Sequence, residues 1–404
     1  MTRHFTTTRG QRDLPRWFQP AFTALGRIKV GRVDAVLPDG RVFRVDSGQP
    51  GPSGVIQVRH AGLFGRILRD GDVGFAEAYM DGWWDTPDLQ ALLDVLLMSN
   101  SEVVRAMPGI GLVRLYERLR HRLRDNSRAQ AEKNIQYHYD LGNEFYATWL
   151  DETMTYSSAI FETDGEDLAT AQQRKYAALC DRSGLNTDQH VLEIGCGWGG
   201  FAEYAASVRG AKVTGLTISR AQHDYARERI FRAGLNERVE IVMRDYRDEA
   251  GTFDASTSIE MFEAVGERYW PTYFETVRDR LTPGGHASFQ IITIEDRLFD
   301  GYRKGVDFIQ KYIFPGGMLP SPSALRAQVE AAGLSWQGAD MYGQSYSDTL
   351  RRWHADFNAN WSDIAALGFD TRFQRMWNYY LTSCAACFRS GTTDVAQLSV
   401  TRPA

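Results

Sequence analysis

The chain has 404 residues, of which 43% are hydrophobic and 24% are charged, a composition typical of globular proteins with two or three domains. Its net charge of −5 excludes the global basic character of a nucleic-acid-binding protein, and we expect no nucleic-acid partner. No apolar run approaches the roughly 20 residues that span a bilayer, and the four cysteines are too sparse for a disulfide scaffold.

The first hundred residues predict a separate α/β unit. Alternating apolar residues at 40–45 and 54–59 indicate short strands, and 75–97 reads as helix with an interruption at Gly82-Trp83-Trp84. The N-terminus lacks the apolar centre of a signal peptide, so we expect a cytoplasmic location. We set this domain at residues 1–104.

A basic segment follows at 105–130. Leu115, Leu119 and Leu123 stand four apart and are flanked by arginines, which predicts an amphipathic helix. Two interpretations remain open: a linker helix with a solvated face, or a helix attracted to anionic lipid headgroups. The second interpretation predicts peripheral contact with the inner face of the membrane.

From residue 131 to 404 the pattern becomes strand–helix–strand. Such alternation predicts an α/β fold, with a doubly wound, mostly parallel, seven-stranded Rossmann-like sheet and helical insertions. Ligands of such sheets bind at the carboxyl ends of the strands. The predicted strands are 191–194, 212–216, 239–243, 253–259 and 286–294.

The stretch Val191-Leu-Glu-Ile-Gly-Cys-Gly-Trp-Gly-Gly is typical of a strand, a tight glycine turn and a helix start. It lacks the lysine of a phosphate loop, and the bulky Trp198 suits a nucleoside better than a pyrophosphate. The turn resembles the first motif of S-adenosylmethionine (SAM) methyltransferases.

The next strand ends supply further polar groups. Thr217, Ser219 and Gln222 follow the second strand at the distance where ribose hydroxyls need a partner, although Thr217 alone could simply cap a helix. Asp245 and Tyr246 end the third strand and would suit an adenine amino group and ring. Taken together, these positions predict a SAM pocket.

Longer segments resemble the cyclopropane-fatty-acid synthase family of SAM-dependent enzymes. The resemblance covers nearly the whole chain, including an N-terminal domain found in the longer bacterial members. It implies methyl transfer from SAM to a cis double bond in a phospholipid acyl chain, through a carbocation. The segments are Ala76-Glu-Ala-Tyr-Met-Asp-Gly-Trp-Trp, Tyr137-His-Tyr-Asp-Leu-Gly-Asn-Glu-Phe-Tyr, Thr155-Tyr-Ser-Ser-Ala, the glycine turn, Gly215-Leu-Thr-Ile-Ser-Arg-Ala-Gln and Met261-Phe-Glu-Ala-Val-Gly.

The same resemblance assigns roles to individual residues. Glu263 and Tyr346 match the active-site glutamate and tyrosine of the family, and Ser158 stands where that family has a cysteine. Without the family resemblance, Glu263 would be interpreted as a surface acid at the start of a helix. No metal ligands are expected. The predicted cofactor-binding residues are Tyr156, Ser157, Glu193, Gly195, Gly197, Trp198, Gly199, Thr217, Gln222, Asp245 and Tyr246.

In the ring-forming members, a bicarbonate ion removes a proton from the new methyl group. The glutamate, the tyrosine, a histidine and the cysteine loop hold that ion, and here Ile292 stands at the histidine position. Losing one charge-assisted hydrogen bond weakens anion binding by roughly 1.5–3 kcal/mol. We therefore expect weakened binding of bicarbonate. We also expect that the cation loses its proton from the neighbouring chain carbon.

The predicted product is a methyl-branched unsaturated acyl chain. A cyclopropane is the main alternative product. Two other functions remain as alternatives: a methyltransferase for a small polar nucleophile, and a non-catalytic SAM- or lipid-binding module. We expect a homodimer on the membrane, because two basic helices bind a bilayer better than one.

Overall fold

The computed structural model describes residues 4–99 and 141–404, and these divide into two compact units. The first unit holds 4–99, 304–312 and 364–390, and the second holds 141–303, 313–363 and 391–404. This division differs from the predicted contiguous boundaries because two late segments pack on the first unit. The linker helix predicted at 105–130 lies outside the described residues, as do His138 and Tyr139 of the 137–146 segment.

The first unit is a five-stranded mixed sheet with helices, as its sequence predicts. The strand order is β1-β3-β2-β4-β5, and the interruption at Gly82 separates the second helix from the fifth strand. Gly71 has non-helical backbone inside the second helix. The elements are β1 (His4–Phe5), α1 (Phe18–Leu25), β2 (Arg32–Val36), β3 (Val42–Asp46), β4 (Ser53–Val58), α2 (Leu63–Met80), β5 (Trp84–Asp85) and α3 (Leu89–Leu97).

The later elements alternate between helix and strand up to the tenth strand. Short 3-10 turns cover Tyr246–Asp248, Phe262–Ala264 and Glu267–Tyr269. The strands are β6 (His190–Ile194), β7 (Lys212–Thr217), β8 (Val239–Met243), β9 (Phe253–Ile259), β10 (Leu281–Ile294), β11 (Ser335–Met341) and β12 (Thr393–Thr401). The helices are α4 (Asn143–Ala147), α5 (Leu168–Arg182), α6 (Gly200–Arg209), α7 (Arg220–Arg232), α8 (Trp270–Arg280), α9 (Asp296–Tyr302), α10 (Phe308–Tyr312), α11 (Pro322–Ala331), α12 (Gly343–Ala359), α13 (Trp361–Ala366) and α14 (Thr371–Ser390).

Helices α10 and α14 belong to the first unit and form partly buried ion pairs with it. Lys311 of α10 pairs with Glu77 of α2, and the Tyr312 hydroxyl donates to the same carboxylate over 2.6 Å. Arg389 of α14 pairs with Asp94 of α3. The sequence pattern marks these segments as helices but carries no information on which core they cover.

The second unit is built on a seven-stranded sheet in the order β11-β12-β10-β9-β6-β7-β8. Strands β6 to β10 run parallel to their neighbours, whereas β12 runs antiparallel to β10 and β11. The fold class predicted from the sequence is therefore confirmed. Neither β11 nor β12 was among the strands predicted from the sequence, and residues 295–390, which include β11, read as helical.

Both faces of this sheet are buried. Val191 and Val213 pack into one apolar cluster, whereas Leu192 and Leu216 pack into the other. Neighbouring strand residues point to opposite faces, so this alternation shows that helices cover the sheet on both sides. Among the helices of the two described ranges, none has both the length and the hydropathy that crossing a bilayer requires.

Candidate active site

The glycine turn between β6 and α6 has a backbone that glycine adopts easily. Gly195, Gly197 and Gly199 have φ values of 84°, 52° and 82°, in the left-handed region that disfavours side chains. A Cβ on Gly199 would stand 3.1 Å from the Cβ of Ala226, whereas one on Gly197 would meet nothing within 4 Å. At Gly199 the turn packs closely on α7. At Gly197 it leaves open space, where a ligand can approach the backbone.

The indole of Trp198 is buried inside the second unit. Its Nε1 donates to Oδ1 of Asn143 over 2.8 Å, and its ring centroid lies 5.1 Å from that of Tyr146. Asn143 also donates through Nδ2 to the carbonyl of Ala221, at 3.2 Å. Asn143 thereby ties the glycine turn to the start of α7. Contact between Trp198 and a nucleoside stays a prediction.

Glu193 is a buried acid on β6, two residues before the turn. Burial raises its pKa to about 8, although the charges of Arg229 and Lys175 act in the opposite direction. Its Oε2 has no hydrogen-bond partner within the described part of the chain. A buried carboxyl group with an unused oxygen beside an open glycine turn fits a cationic ligand.

The predicted nucleoside partners stand at the carboxyl ends of β7 and β8. Thr217 donates through Oγ1 to Oε1 of Gln222 over 3.1 Å, and both side chains are buried. The Asp245 carboxylate accepts two bonds from the Arg247 guanidinium, at 2.9 and 2.5 Å, and Tyr246 follows it. All four predicted residues share the sheet edge where such folds bind ligands. Their contacts with SAM stay predictions.

The loop with the predicted residues Tyr156 to Ser158 lies against a buried cation. Ser157 accepts a 2.6 Å bond from Nζ of Lys175 through its hydroxyl, and a 2.9 Å bond from Nε2 of Gln172 through its carbonyl. Lys175 is fully buried on α5, and burial lowers its pKa to about 7. The loop is therefore fixed from below by side chains of α5.

Aromatic rings surround Tyr156 on the other side of the loop. Its ring centroid lies 5.2 Å from Trp353, 5.6 Å from Trp149 and 6.4 Å from Phe314. Trp353 and Trp149 are completely or almost completely buried. Rings of this kind exclude water and present negative faces that stabilise a positive charge.

The sequence reasoning missed the carboxylate at the centre of this region, which belongs to Glu260. Its Oε1 accepts from the backbone N–H of Ser158 and from Nε2 of Gln290, each at 2.8 Å. Its Oε2 accepts from the phenol of Tyr346 at 2.6 Å. The structure thus brings Ser158 and Tyr346 together on the carboxylate of a residue that was not predicted.

Glu260 also has an unusual backbone. Its φ is 49°, a left-handed value that costs a residue with a side chain roughly 1–3 kcal/mol. The residue directly follows β9, and its N–H donates to the carbonyl of Gln290 at 2.8 Å. Strain of this size persists where the surrounding structure fixes the residue, which here includes three hydrogen bonds to its side chain.

Glu263, the predicted catalytic acid, lies in the 3-10 turn three residues further on. Its Oε1 accepts the backbone N–H of Ile292 over 2.5 Å, and its Oε2 is buried with no hydrogen-bond partner among the described residues. Ile292 contributes a backbone donor to the site, but its aliphatic side chain contributes none. The residues named from the sequence therefore contact two different carboxyl groups. Ser158 and Tyr346 donate to Glu260, whereas the Ile292 N–H donates to Glu263.

The two carboxyl groups have different electrostatic surroundings. Burial raises the pKa of Glu263 to about 8, and the nearby Glu260 charge raises it further. Burial also raises the pKa of Glu260 above its ordinary value, although the Tyr346 hydrogen bond, the Lys175 charge and the bonds from Gln290 and Ser158 act in the opposite direction. Glu260 therefore has three donors that favour its ionised form, whereas Glu263 has one.

Four functional residues therefore escaped the sequence reasoning: Asn143, Lys175, Glu260 and Gln290. Only Glu260 carried a usable signal, since it is an acid at the end of a predicted strand, three residues before Glu263. The other three make contacts with residues 18 to 132 positions away in the chain.

The doubly wound sheet, the open glycine turn and the unused Glu193 oxygen together define a SAM-dependent methyltransferase. The turn residues and the polar groups after β7 and β8 would hold the SAM molecule, which supplies an electrophilic methyl group. The comparisons with known proteins name the family within this class.

A model of the family described as mycolic acid cyclopropane synthetase matches residues 126–398. Tuberculostearic acid methyltransferase UfaA1 of Mycobacterium tuberculosis is 42% identical over 347 residues, which cover 83% of this chain and 80% of that protein. Cyclopropane-fatty-acyl-phospholipid synthase of Escherichia coli is 36% identical over 388 residues, which cover 91% and 95%. The crystal structure of mycolic acid cyclopropane synthase CmaA1 complexed with SAH and CTAB has a TM-score of 0.63 at 29% identity, covering 67% of this chain and 98% of that one.

The chain belongs to the mycolic acid cyclopropane synthetase family. It is a SAM-dependent methyltransferase that acts on double bonds of lipids, and SAM is its methyl donor. The resemblance drawn from the sequence is confirmed.

Proposed function

We propose that this enzyme methylates a cis double bond in an unsaturated acyl chain of a membrane phospholipid and releases a methyl-branched unsaturated chain. The observation that carries the proposal is Ile292, an aliphatic residue where ring-forming relatives place a histidine. Its side chain offers no hydrogen bond to an anion, and its backbone N–H is already bonded to Glu263.

An alkene is a weak nucleophile, so the reaction depends on positioning and on a dry site. The π electron pair forms the new carbon–carbon bond to the methyl group of SAM, the methyl–sulfur bond breaks with its electron pair left on sulfur, and a carbocation remains on the adjacent chain carbon. The rings around Tyr156 and the buried carboxyl groups stabilise that charge. Exclusion of water by the same rings prevents the cation from becoming an alcohol.

The fate of the cation decides the product. Ring closure needs a base close to the new methyl group, whereas loss of a proton from the chain gives a branched alkene. Removing one charge-assisted donor lowers the occupancy of an anion beside the methyl by about 10- to 150-fold. The Ile292 side chain therefore favours the branched route over closure of the ring.

The relatives support both outcomes to different degrees. A relative named for tuberculostearic acid, at 42% identity, favours methyl branching. The Escherichia coli relative, at 36% identity, is named for a cyclopropane product and keeps ring formation as the second candidate. A non-catalytic binding module is disfavoured by the presence of Glu263 and Tyr346.

Isotope labelling tests the product. The enzyme is incubated with vesicles of an unsaturated phospholipid and SAM carrying a trideuterated methyl group, and the masses of the released acyl chains are measured by mass spectrometry. Loss of a chain proton retains three deuterium atoms, whereas ring closure retains two. A hydride shift followed by loss of a deuteron from the methyl group also retains two deuterium atoms. Mild catalytic hydrogenation of the product is therefore added, because an alkene gains two hydrogens and a ring does not. A product that resists hydrogenation contradicts the proposal.

We further propose peripheral attachment to the cytoplasmic face of the membrane, with a homodimer as the attached form. The support is the arginine-rich segment at 105–130 in the sequence. Flotation with vesicles that contain or lack an anionic lipid tests the attachment, and light scattering tests the dimer. Equal flotation with both vesicle types contradicts an electrostatic anchor.

A further inference from the structure

Glu260 raises a question that the family resemblance does not answer. The resemblance implies an exogenous bicarbonate held by Glu263, Tyr346, the loop at Ser158 and a histidine. In this chain the Ser158 N–H and the Tyr346 hydroxyl both donate to the carboxylate of Glu260, at 2.8 and 2.6 Å. The donors for the anion are already used by an anion of the protein.

The remaining members of the implied bicarbonate site do not leave room for one either. The histidine is replaced by Ile292, whose backbone N–H is bonded to Glu263 at 2.5 Å. A bicarbonate bound to these donors would also lie beside the buried carboxyl group of Glu260, whose negative charge would repel it. The residues present do not fit a bound bicarbonate.

We propose that Glu260 is the catalytic base of this enzyme and takes the place of the exogenous anion. The inference rests on the proposed function only in requiring a methylated acyl cation. A C–H bond next to the cationic carbon breaks, and its electron pair forms the new bond of the product. The proton joins Oε2 of Glu260, which becomes a neutral carboxylic acid and later releases the proton to water.

The hydrogen bonds of Glu260 suit this task. A carboxylate has about four acceptor positions, and three are used by Ser158, Gln290 and Tyr346. Oε2 accepts only the phenol among the described residues, so it retains one lone pair for a proton. The donors weaken the base, but a C–H bond beside a carbocation is strongly acidic. Position therefore matters more than basicity.

The carboxylate is held rigidly at this position. Gln290 bonds both Glu260 and the Ser158 carbonyl, the latter at 3.0 Å. The loop after Ser158 is bonded to α12, since the Ala159 N–H donates to Thr349 Oγ1 at 3.1 Å. The left-handed φ of Glu260 directs its side chain into this network at a cost in strain. Strain maintained at a carboxylate that is held by three hydrogen bonds indicates a functional group.

Bicarbonate dependence is the first test. Initial rates of SAM-dependent lipid methylation are measured in carbon-dioxide-free buffer with and without saturating bicarbonate. We expect rates within twofold of each other for the natural chain. A requirement for bicarbonate overturns the proposal.

Two substitutions provide the second test. Glu260→Gln keeps the shape but not the basicity, and we expect turnover to fall about 10²–10⁴-fold with no recovery in bicarbonate. Glu260→Gly suits the left-handed φ and opens the anion site, so we expect the same loss without bicarbonate and at least tenfold recovery with it. Unchanged turnover in Glu260→Gln, or full turnover of Glu260→Gly without bicarbonate, overturns the assignment.

Controls separate this test from folding and from the product question. Glu237→Gln alters an exposed glutamate and should leave all rates unchanged. SAM affinity measured by calorimetry within threefold of the natural chain shows that each variant is folded. Either product requires loss of one proton, so a ring product would refute the proposed function and leave the test of Glu260 valid.

Discussion

Tyr346 donates its phenol hydrogen to Glu260 over 2.6 Å and so joins two residues that are 86 positions apart in the chain. Tyr346 lies on α12 and Glu260 directly follows β9. A phenol that donates to a carboxylate stabilises the charged form of that carboxylate. Tyr346 therefore positions Glu260 and favours its ionised form.

The substitution Tyr346→Phe tests this relationship. Loss of a hydrogen bond to a charged group is worth about 1.5–3 kcal/mol, so the pKa of Glu260 should rise by roughly one to two units. Because the base acts in its ionised form, the acid limb of the rate profile should move to higher pH by that amount. Measuring kcat from pH 5.5 to 9 detects the shift.

A purely structural tyrosine would lower the rate equally at all pH values, and that result would contradict the role. Tyr225→Phe is the matched control, because it removes the hydroxyl of a half-buried tyrosine on α7. Its pH profile should match that of the natural chain.

Glu263 is expected to be essential for a different reason. Its carboxyl group is buried beside Glu260 and bonded to the Ile292 N–H. We expect Glu263→Gln to lower turnover at least 10²-fold while SAM affinity stays within threefold, because glutamine keeps the shape of the side chain and removes its carboxyl group. Calorimetry and methylation rates on the same sample check both parts. Unchanged turnover would remove Glu263 from the catalytic group.

The sequence predicted the sheet well because its signals are local. Strands β8 and β9 have the predicted bounds, and the glycine turn is marked by residues within a single decapeptide. Glu263 and Tyr346 were found only through family resemblance. Glu260 was missed because its partners Ser158 and Tyr346 lie 102 and 86 positions away, and no pattern in the chain records that they meet.

The protonation of Glu263 should affect stability. Its pKa is about 8 in the folded chain against 4.5 for an ordinary glutamate, so the folded state binds more protons between these values. The stabilisation is complete below pH 4.5 and is lost as the pH rises through 8. Between pH 7 and 8 the loss is about 1 kcal/mol, or roughly 1–2 °C in Tm for a chain of this length.

Glu263→Gln cannot ionise, so the difference in Tm between this variant and the natural chain should move in favour of the variant as pH rises. Glu193 has a similarly raised pKa and contributes the same trend to both proteins. Thermal unfolding of the SAM-free proteins at pH 7 and pH 8 provides the measurement. A constant difference would show that Glu263 is ionised in the folded state at both pH values.

Asn143 is expected to support SAM binding without taking part in chemistry. Asn143→Ala removes the acceptor for the Trp198 indole and the donor to the Ala221 carbonyl. Losing these bonds should loosen the glycine turn by about 1 kcal/mol, which weakens the SAM Kd roughly fivefold. At saturating SAM the turnover should stay within twofold. Asn236→Ala, at an exposed asparagine, is the control, and equal Kd values for both variants would contradict the role.

The strongest test of the site as a whole is to rebuild the anion position in this chain. Ile292→His restores the donor implied for ring-forming relatives, and Glu260→Gly vacates the carboxylate that uses Ser158 and Tyr346. The double variant should depend on bicarbonate, and the fraction of ring product should increase at least tenfold over the natural chain. Each single variant should do less, because a bound bicarbonate needs both the free donors and the added one. Proton NMR of the extracted acyl chains quantifies ring and alkene in the same sample. An alkene product from an active, bicarbonate-dependent double variant would show that these two positions do not decide the fate of the cation.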